Sequence, residues 1–419
     1  MVQALFPKFH SRFVSLPLLG PIVDRFSLWL VNRGYLRGSA RQQLRCLIPL
    51  DRALRERGCE HLGAISRGAL RAAGPEPSPR SRTAIGTARA LERFLDEEGM
   101  LPPPEPVPPS PAQVQIEAYA AYLRGVRGLA SSTIAQHCGS ISEFLHCLGY
   151  CTAPVRLEAL CPADIEAFVR SVGSRLGRAS LQHTVAHLRG FLRFLSITGV
   201  LRPGLEGQID TPRVYRLEQL PRALPWKTVC AFLESIDRST PLGLRDYTMF
   251  FLIASYGLRA CEVVSLTLDH IDWRSEQILL PQRKTRGALL LPLTEAVGTV
   301  LLDYLRHGRP QLLYREVFLR ARAPHGILKP TAVGDAFQGW SKRSGLDIPF
   351  EGAHCLRHSY AVHLLRSGVS MKTIGDVLGH RSSDATCMYL RLALEDLRGV
   401  ALSLPTPDPD ISAAQQVSP

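Results

Sequence analysis

The chain has 419 residues, of which 50 are Lys or Arg and 37 are Asp or Glu, giving a formal net charge of +13. This length exceeds the size at which one hydrophobic core usually keeps growing, so we expect two or three domains. The basic charge indicates a polyanionic partner, with nucleic acid as the first expectation. No apolar run reaches about 18 residues, which argues against a membrane-spanning protein.

The N-terminal segment and the cysteines indicate a reducing compartment. Pro7, Arg12 and Asp24 interrupt the apolar residues near the N-terminus, so we expect no export signal and a cytoplasmic location. The 10 cysteines include neither a Cys-x-x-Cys pair nor a Cys/His cluster at zinc spacing. We therefore expect reduced, mostly packed cysteines and no metal or other cofactor.

Proline-rich or polar segments divide the chain at residues 75–79, 102–111 and 203–221. Between them the apolar residues recur at helical spacing, and strand signals are absent before residue 270. From these boundaries we predict an extra N-terminal helical domain at 1–105, a second helical domain at 106–210, a mixed α+β domain at 211–404 and a disordered tail at 405–419.

The two helical segments are similar to each other. Residues 94–103 are echoed by residues 194–203, which repeat the same Phe, Leu, Gly, Leu and Pro at a constant offset of 100. We interpret this as a tandem repeat of one small helical domain. The alternative is a chance match, since many amphipathic helices end at a glycine.

From about residue 224 the pattern changes and strands are expected. Residues 278–280 and 289–293 are short β-prone runs on either side of the basic segment 282–287, which predicts a β-hairpin with a basic tip. Helical patterns then return, notably at 359–366 and 371–378.

This C-terminal half contains the groups that a metal-free enzyme needs to break a phosphodiester, namely cationic donors, a nucleophile and a proton donor. Arg259 follows a glycine that is suited to end a helix, and Glu262 lies one turn later, where its carboxylate can hold the guanidinium. His354 and Arg357 are three residues apart and therefore share a helix face. Both of these side chains can then reach one phosphate.

Three further groups complete the set. Lys284 lies on the hairpin tip, His380 ends the sequence Leu-Gly-His, and Tyr389 follows nine residues later. Taken singly, each motif also fits an ordinary structural role: a surface ion pair, a helix-end histidine, a solvated turn or a packed tyrosine.

Together and in this order, the motifs resemble those of the tyrosine recombinase family, which includes the phage integrases. That pattern is Arg, a hairpin Lys, His-x-x-Arg, Leu-Gly-His, then Tyr nine residues on, and it is matched here by Arg259, Lys284, His354, Arg357, His380 and Tyr389. The matching region spans about residues 224–400. The resemblance implies a mainly helical, multidomain protein in which helical core-binding domains precede an α+β catalytic domain with a small sheet.

The resemblance also implies a reaction. Tyr389 would attack a DNA phosphate, form a 3′-phosphotyrosine bond and free a 5′ hydroxyl without a metal or cofactor. Arg259 and Arg357 would hold the non-bridging oxygens, with a further hydrogen bond from His380. The covalent intermediate would keep the energy of the broken bond, so that the strand could be resealed without ATP.

Two more groups are expected to move protons. Lys284 is the expected general acid for the leaving 5′ oxygen. His354 is expected to help remove the tyrosine proton, because a phenol with an ordinary pKa near 10 is mostly protonated at pH 7.

In the family the helical domain before the catalytic domain clamps DNA, and residues 106–210 fit that role. The arginines expected to contact DNA are Arg124, Arg127, Arg178, Arg189 and Arg193, with Arg283 and Arg286 on the hairpin. Solvated helix faces are the alternative interpretation of these arginines. We expect a homo-multimer, a tetramer on paired double-stranded DNA sites, and related recombinases are further candidate partners.

Some features depart from the family pattern. Family members commonly have one helical domain before the catalytic domain, whereas two are expected here. Arg391 occupies a position where a histidine is common. Two other functions remain open: a non-cutting DNA-binding accessory protein of the same fold, and a DNA-relaxing enzyme similar to type IB topoisomerases.

Overall fold

The computed structural model describes residues 1–76, 78, 81–103, 108–153, 157–215, 220–281, 288–380 and 382–392. Contacts between residues group the chain into two compact units, one formed by 1–103 with 219–419 and the other by 104–218. Among the described residues, no helix is long and apolar enough to cross a membrane.

The N-terminal part of the first unit is helical and has its own hydrophobic core. Its helices are α1 (Val2–Leu5), α2 (Ser11–Val14), α3 (Val23–Asn32), α4 (Arg37–Arg55), α5 (Arg67–Ala73) and α6 (Arg82–Glu97). The core collects the apolar faces of these helices, including Phe26, Leu44 and Phe94, which are at most 1% exposed. Buried Asp51 is satisfied by the backbone N–H groups of Leu18 and Leu19, which fixes the α2–α3 connection.

The second unit contains α7 (Pro111–Gly125), α8 (Ser131–Cys147), α9 (Pro162–Gly173) and α10 (Arg178–Ile197). Ser110 begins α7 with a capping box, in which its side chain and that of Gln113 satisfy each other's backbone N–H groups. Aromatic residues fill the core: Tyr119 lies 5.2 Å from Phe191 between ring centroids.

These four helices follow the same order as α3 to α6. In both parts a glycine with positive φ ends the last helix, Gly99 (φ 67°) after α6 and Gly199 (φ 76°) after α10. Several buried positions of α4 also match buried positions of α8 at an offset of 94, as for Leu47 with Ile141 and Leu50 with Phe144. The tandem repeat and the domain limits remain predictions from the sequence.

The C-terminal part of the first unit combines helices with one sheet. Its elements are α11 (Trp226–Glu234), α12 (Pro241–Tyr256), α13 (Ala260–Val264), β1 (Ile271–Asp272), β2 (Gln277–Pro281), β3 (Ala288–Pro292), α14 (Glu295–Asp303), α15 (Thr331–Ser344), α16 (His354–Arg366), α17 (Met371–Leu378) and α18 (Asp384–Cys387). A buried cluster joins α12 to α15, since Asp246 accepts hydrogen bonds from Arg245 and from the Trp340 indole at 2.9 Å. The predicted fold class, mainly helical with a small sheet, is confirmed.

The sheet has the order β1-β2-β3 and is antiparallel throughout. Ile278 pairs with Leu291 and Leu280 with Leu289, so the predicted hairpin arms are confirmed. Ile278, Leu280 and Leu291 point into the core and are at most 4% exposed. The tip, with Arg283, Lys284 and Arg286, lies outside the described residues, as does the predicted tail at 405–419.

Candidate active site

The first active-site turn follows α12. Gly257 ends this helix with φ 64°, in the left-handed region that favours glycine. A Cβ there would lie 2.4 Å from Leu378 Cδ2, so a larger residue would also have to displace that side chain. Arg259 then begins α13, where the Glu262 carboxylate accepts from its backbone N–H at 2.8 Å and from Nη1 at 2.7 Å. The carboxylate thus holds the guanidinium, as the Arg-x-x-Glu spacing predicts.

Arg357 lies in the first turn of α16 and is 3% exposed. Its Nη1 donates to the carbonyl of Gly257, and its Nη2 donates to the carbonyl of Leu378 at 2.8 Å. Burial, reinforced by nearby Arg259, lowers the pKa of Arg357 to about 10, so it is still a cation at neutral pH. The two carbonyls orient this cation.

A second glycine turn faces the first. Gly379 ends α17 with φ 60°, and its carbonyl accepts from Nη2 of Arg259 at 3.4 Å. Both arginines therefore donate hydrogen bonds to carbonyls of this turn, Arg259 to that of Gly379 and Arg357 to that of Leu378. Two guanidinium groups are thereby brought to one place in the fold, although Arg259 and Arg357 are far apart in sequence.

His380 follows this turn and is anchored at both its backbone and its ring. Its N–H donates to the carbonyl of Gly375 at 2.9 Å, and its Nδ1 lies 2.8 Å from the Thr386 hydroxyl. This contact leaves Nε2 for a ligand. Burial, with the charges of Arg357 and Arg259, lowers the pKa of His380 to about 4, so the ring is neutral at pH 7.

Tyr389 lies in a 3₁₀-helix, Met388–Leu392, and is 1% exposed. Its ring lies nearly parallel to that of His380, with centroids 6.3 Å apart, and its hydroxyl is 3.1 Å from Nδ1 of His358. Burial raises the pKa of Tyr389, while Arg357 and Arg259 oppose that rise. The phenol is therefore protonated at neutral pH and needs a proton acceptor before it can attack.

His358 has no role in the motif pattern, yet it contacts the phenol. His354, expected to help remove the proton, is exposed and lies edge-on to His358, with ring centroids 4.5 Å apart. The sequence did contain a signal that His358 lies near the site, because it is four residues from His354 and the two histidines therefore share a helix face.

Three of the arginines that are expected to contact DNA lie together in the second unit. Arg127, Arg189 and Arg193 line a recess of about 370 Å³ together with His137 and Thr133. Arg124 and Arg178 are exposed, and the recess lining does not include them.

The chain matches two family models and several named relatives. A family model described as the phage integrase family matches residues 223–395, and one described as the phage integrase N-terminal SAM-like domain matches 116–198. An integrase/recombinase of Sinorhizobium fredii, y4rA, is 34% identical over 408 residues, covering 94% of this chain and 97% of that protein. Tyrosine recombinase XerD of Listeria monocytogenes is 31% identical, covering 68% of this chain and 96% of that protein.

A solved structure shares the fold. A lambda integrase dimer bound to a COC′ core site has a TM-score of 0.51 at 20% identity, covering 70% of this chain and 99% of that chain. The chain belongs to the phage integrase family of tyrosine recombinases, enzymes that cut and rejoin DNA strands.

Proposed function

We propose that this chain cleaves and rejoins double-stranded DNA at specific sites, with Tyr389 as the nucleophile. The observation that carries the proposal is the convergence of a buried tyrosine with Arg259, Arg357 and His380 on two facing glycine turns. A phosphate placed there would meet two fixed cations and a neutral imidazole, the donors that a pentavalent phosphorus transition state requires.

The proposed reaction is an in-line exchange of one oxygen for another. The Tyr389 oxygen bonds to phosphorus, the bond to the 5′ oxygen breaks, and a 3′-phosphotyrosine remains. Lys284 would give a proton to the departing 5′ oxygen. Because a phenolic oxygen leaves readily, the 5′ hydroxyl of another strand can reverse the step and complete recombination.

Residues 106–210 would clamp the DNA. The recess lined by Arg127, Arg189 and Arg193 supports this role, because cationic side chains around a cavity suit the phosphate backbone. Four strand cuts are needed to exchange two duplexes and each active site makes one, so the working form would be a tetramer on paired sites. Related recombinases are proposed as further partners.

Trapping the covalent intermediate tests the proposal. Duplexes with a randomised core, nicked so that the cleaved fragment diffuses away, would be incubated with the enzyme in EDTA. We expect a protein–DNA adduct whose protease and nuclease digest carries a nucleotide on Tyr389, and sequencing of the trapped DNA would give the preferred site.

Other results would favour the alternatives. DNA binding without an adduct in any pool would indicate an accessory protein. Relaxation of supercoiled DNA by a monomer without site preference would indicate a topoisomerase-like enzyme.

A further inference from the structure

His358 lies next to Arg357 on α16 and contacts the Tyr389 hydroxyl. We propose that His358 is a catalytic residue whose Nδ1 orients the Tyr389 hydroxyl and accepts its proton as the phenol attacks phosphorus. This inference rests on the proposed function. It assigns proton removal to the histidine that follows Arg357 in the chain.

The geometry supports a direct transfer. The two atoms are 3.1 Å apart, and the phenol belongs to a side chain that is 1% exposed, so the contact is removed from bulk water. A hydroxyl that donates to Nδ1 requires the imidazole to be neutral, with its proton on Nε2. Because Arg357 and His358 are adjacent, the helix that places the phosphate-binding cation also places the proton acceptor.

Burial and the surrounding charges keep the His358 ring neutral before DNA binds. The pKa of His358 is lowered to about 4, mainly by burial and also by the charges of His354, Arg357, His380 and Arg222. The Tyr389 phenol faces the ring. The ring is therefore neutral at pH 7 before DNA binds. A bound phosphate would add negative charge beside it and favour the imidazolium that forms. The proton moves from the phenol to Nδ1 as the O–P bond forms, and returns when rejoining releases the tyrosine.

Single-turnover cleavage of a suicide substrate between pH 6 and pH 10 tests this role. His358→Gln is expected to cleave about 10² to 10⁴-fold more slowly at pH 7. The deficit should shrink as pH rises, because hydroxide replaces the lost acceptor. Fluorinated tyrosine at position 389, with a more acidic phenol, should shrink it further. His363→Gln, on the same helix and stacked against Trp226, is the control and should match wild type.

A deficit that is the same at every pH would overturn the proposal, since lost packing does not depend on hydroxide. So would wild-type cleavage by His358→Gln. Absence of an adduct with the wild type itself would instead count against the proposed function. His358→Asn replaces the glutamine variant if thermal melting shows that the latter is unfolded.

A separate observation concerns the N-terminal helices. The first turns of α4 carry Arg37, Arg41 and Arg45 at intervals of four, which places them along one face. Residues 36–50 contain no Asp or Glu, and residues 1–23 contain none either. We call Arg37, Arg41 and Arg45 the arginine row.

Five acidic side chains of this region are paired with other arginines. The pairs are Arg25–Glu98, Arg33–Glu97, Arg55–Asp51, Arg67–Asp96 and Arg71–Glu92. Within the row, Arg37 donates to the Ala4 carbonyl, and Arg41 lies 4.9 Å from the Phe6 ring centroid. Nε of Arg41 is buried without a hydrogen-bond partner among the described residues. The charge of the row is therefore not neutralised by these pairs.

We infer that the arginine row binds the phosphate backbone of duplex DNA outside the cleavage site. Side chains four residues apart on a helix are spaced by about 6 Å along its axis, so the row presents an extended line of cations. A duplex carries one negative charge per about 1.7 Å of its axis and matches such a line. The N-terminal helices would then lengthen the DNA contact.

Salt-dependent binding by the full chain tests this inference. Arg37→Gln/Arg41→Gln/Arg45→Gln should lower the slope of log affinity against log salt by about 2 to 3 and shorten the nuclease footprint at one edge. Arg57→Gln/Arg82→Gln/Arg89→Gln removes the same charge from exposed positions outside the row. This control should change the slope by less than about 1 and leave the footprint length unchanged.

Equal slopes for the two triple variants would overturn the inference. A row variant that keeps the wild-type footprint but loses self-association in sedimentation would overturn it too, and would assign the row to a protein contact. Adduct formation at the cleavage site should persist in both variants, so this result is separate from the test of catalysis.

Discussion

Tyr389→Phe is expected to bind DNA as the wild type does and to form no covalent adduct. The substitution removes one oxygen from a side chain that is 1% exposed, and the ring can keep its place beside His380. Loss of a nucleophile costs at least about 10⁴-fold in rate when no other group can replace it. Single-turnover trapping on the suicide substrate measures the loss, and gel-shift titration measures binding.

Tyr360→Phe is the matched control for this prediction. Tyr360 is half-buried on α16, and its ring packs against the Gly257 turn, so the variant also loses one phenolic oxygen near the site. It should still form the adduct. Adduct formation by Tyr389→Phe at more than a trace would show that another side chain is the nucleophile.

Local spacing predicted much of this site. The Arg-x-x-Glu pair, the glycine turn before it and the helix ending at Gly379 each depend on residues within a few positions of one another. Short β-prone runs on either side of a basic segment likewise predicted both hairpin arms. Such features follow from local sequence patterns, which a sequence displays directly.

Contacts between distant segments were not predictable in this way. The Arg357 guanidinium is held by the carbonyls of Gly257 and Leu378, and no side-chain pattern reveals which carbonyl will be free. The contact of His358 with Tyr389 joins residues 31 positions apart through the packing of α16. The role of Lys284 remains a prediction, because the hairpin tip lies outside the described residues.

Arg357→Ala is expected to lower single-turnover cleavage by about 10³ to 10⁵-fold, the range by which arginines accelerate other phosphoryl transfers. It should also destabilise the catalytic region. The carbonyls of Gly257 and Leu378 would lose a buried donor, at about 1–3 kcal/mol for each group left unpaired. Urea unfolding and adduct trapping, measured on the same protein preparation, separate the loss of stability from the loss of cleavage.

Arg357→Lys distinguishes charge from shape. Lysine keeps the cation but lacks the planar fork that reaches two carbonyls and a phosphate together, so cleavage should remain at least about 10²-fold below wild type. Lys372→Ala removes an exposed cation from α17 and should change neither rate nor stability. If Arg357→Ala cleaved DNA within tenfold of the wild-type rate but unfolded at a lower urea concentration, the role of Arg357 would be to stabilise the two turns and not to bind the phosphate. The phosphate would then be held by Arg259 and His380, since both remain anchored to residues other than Arg357.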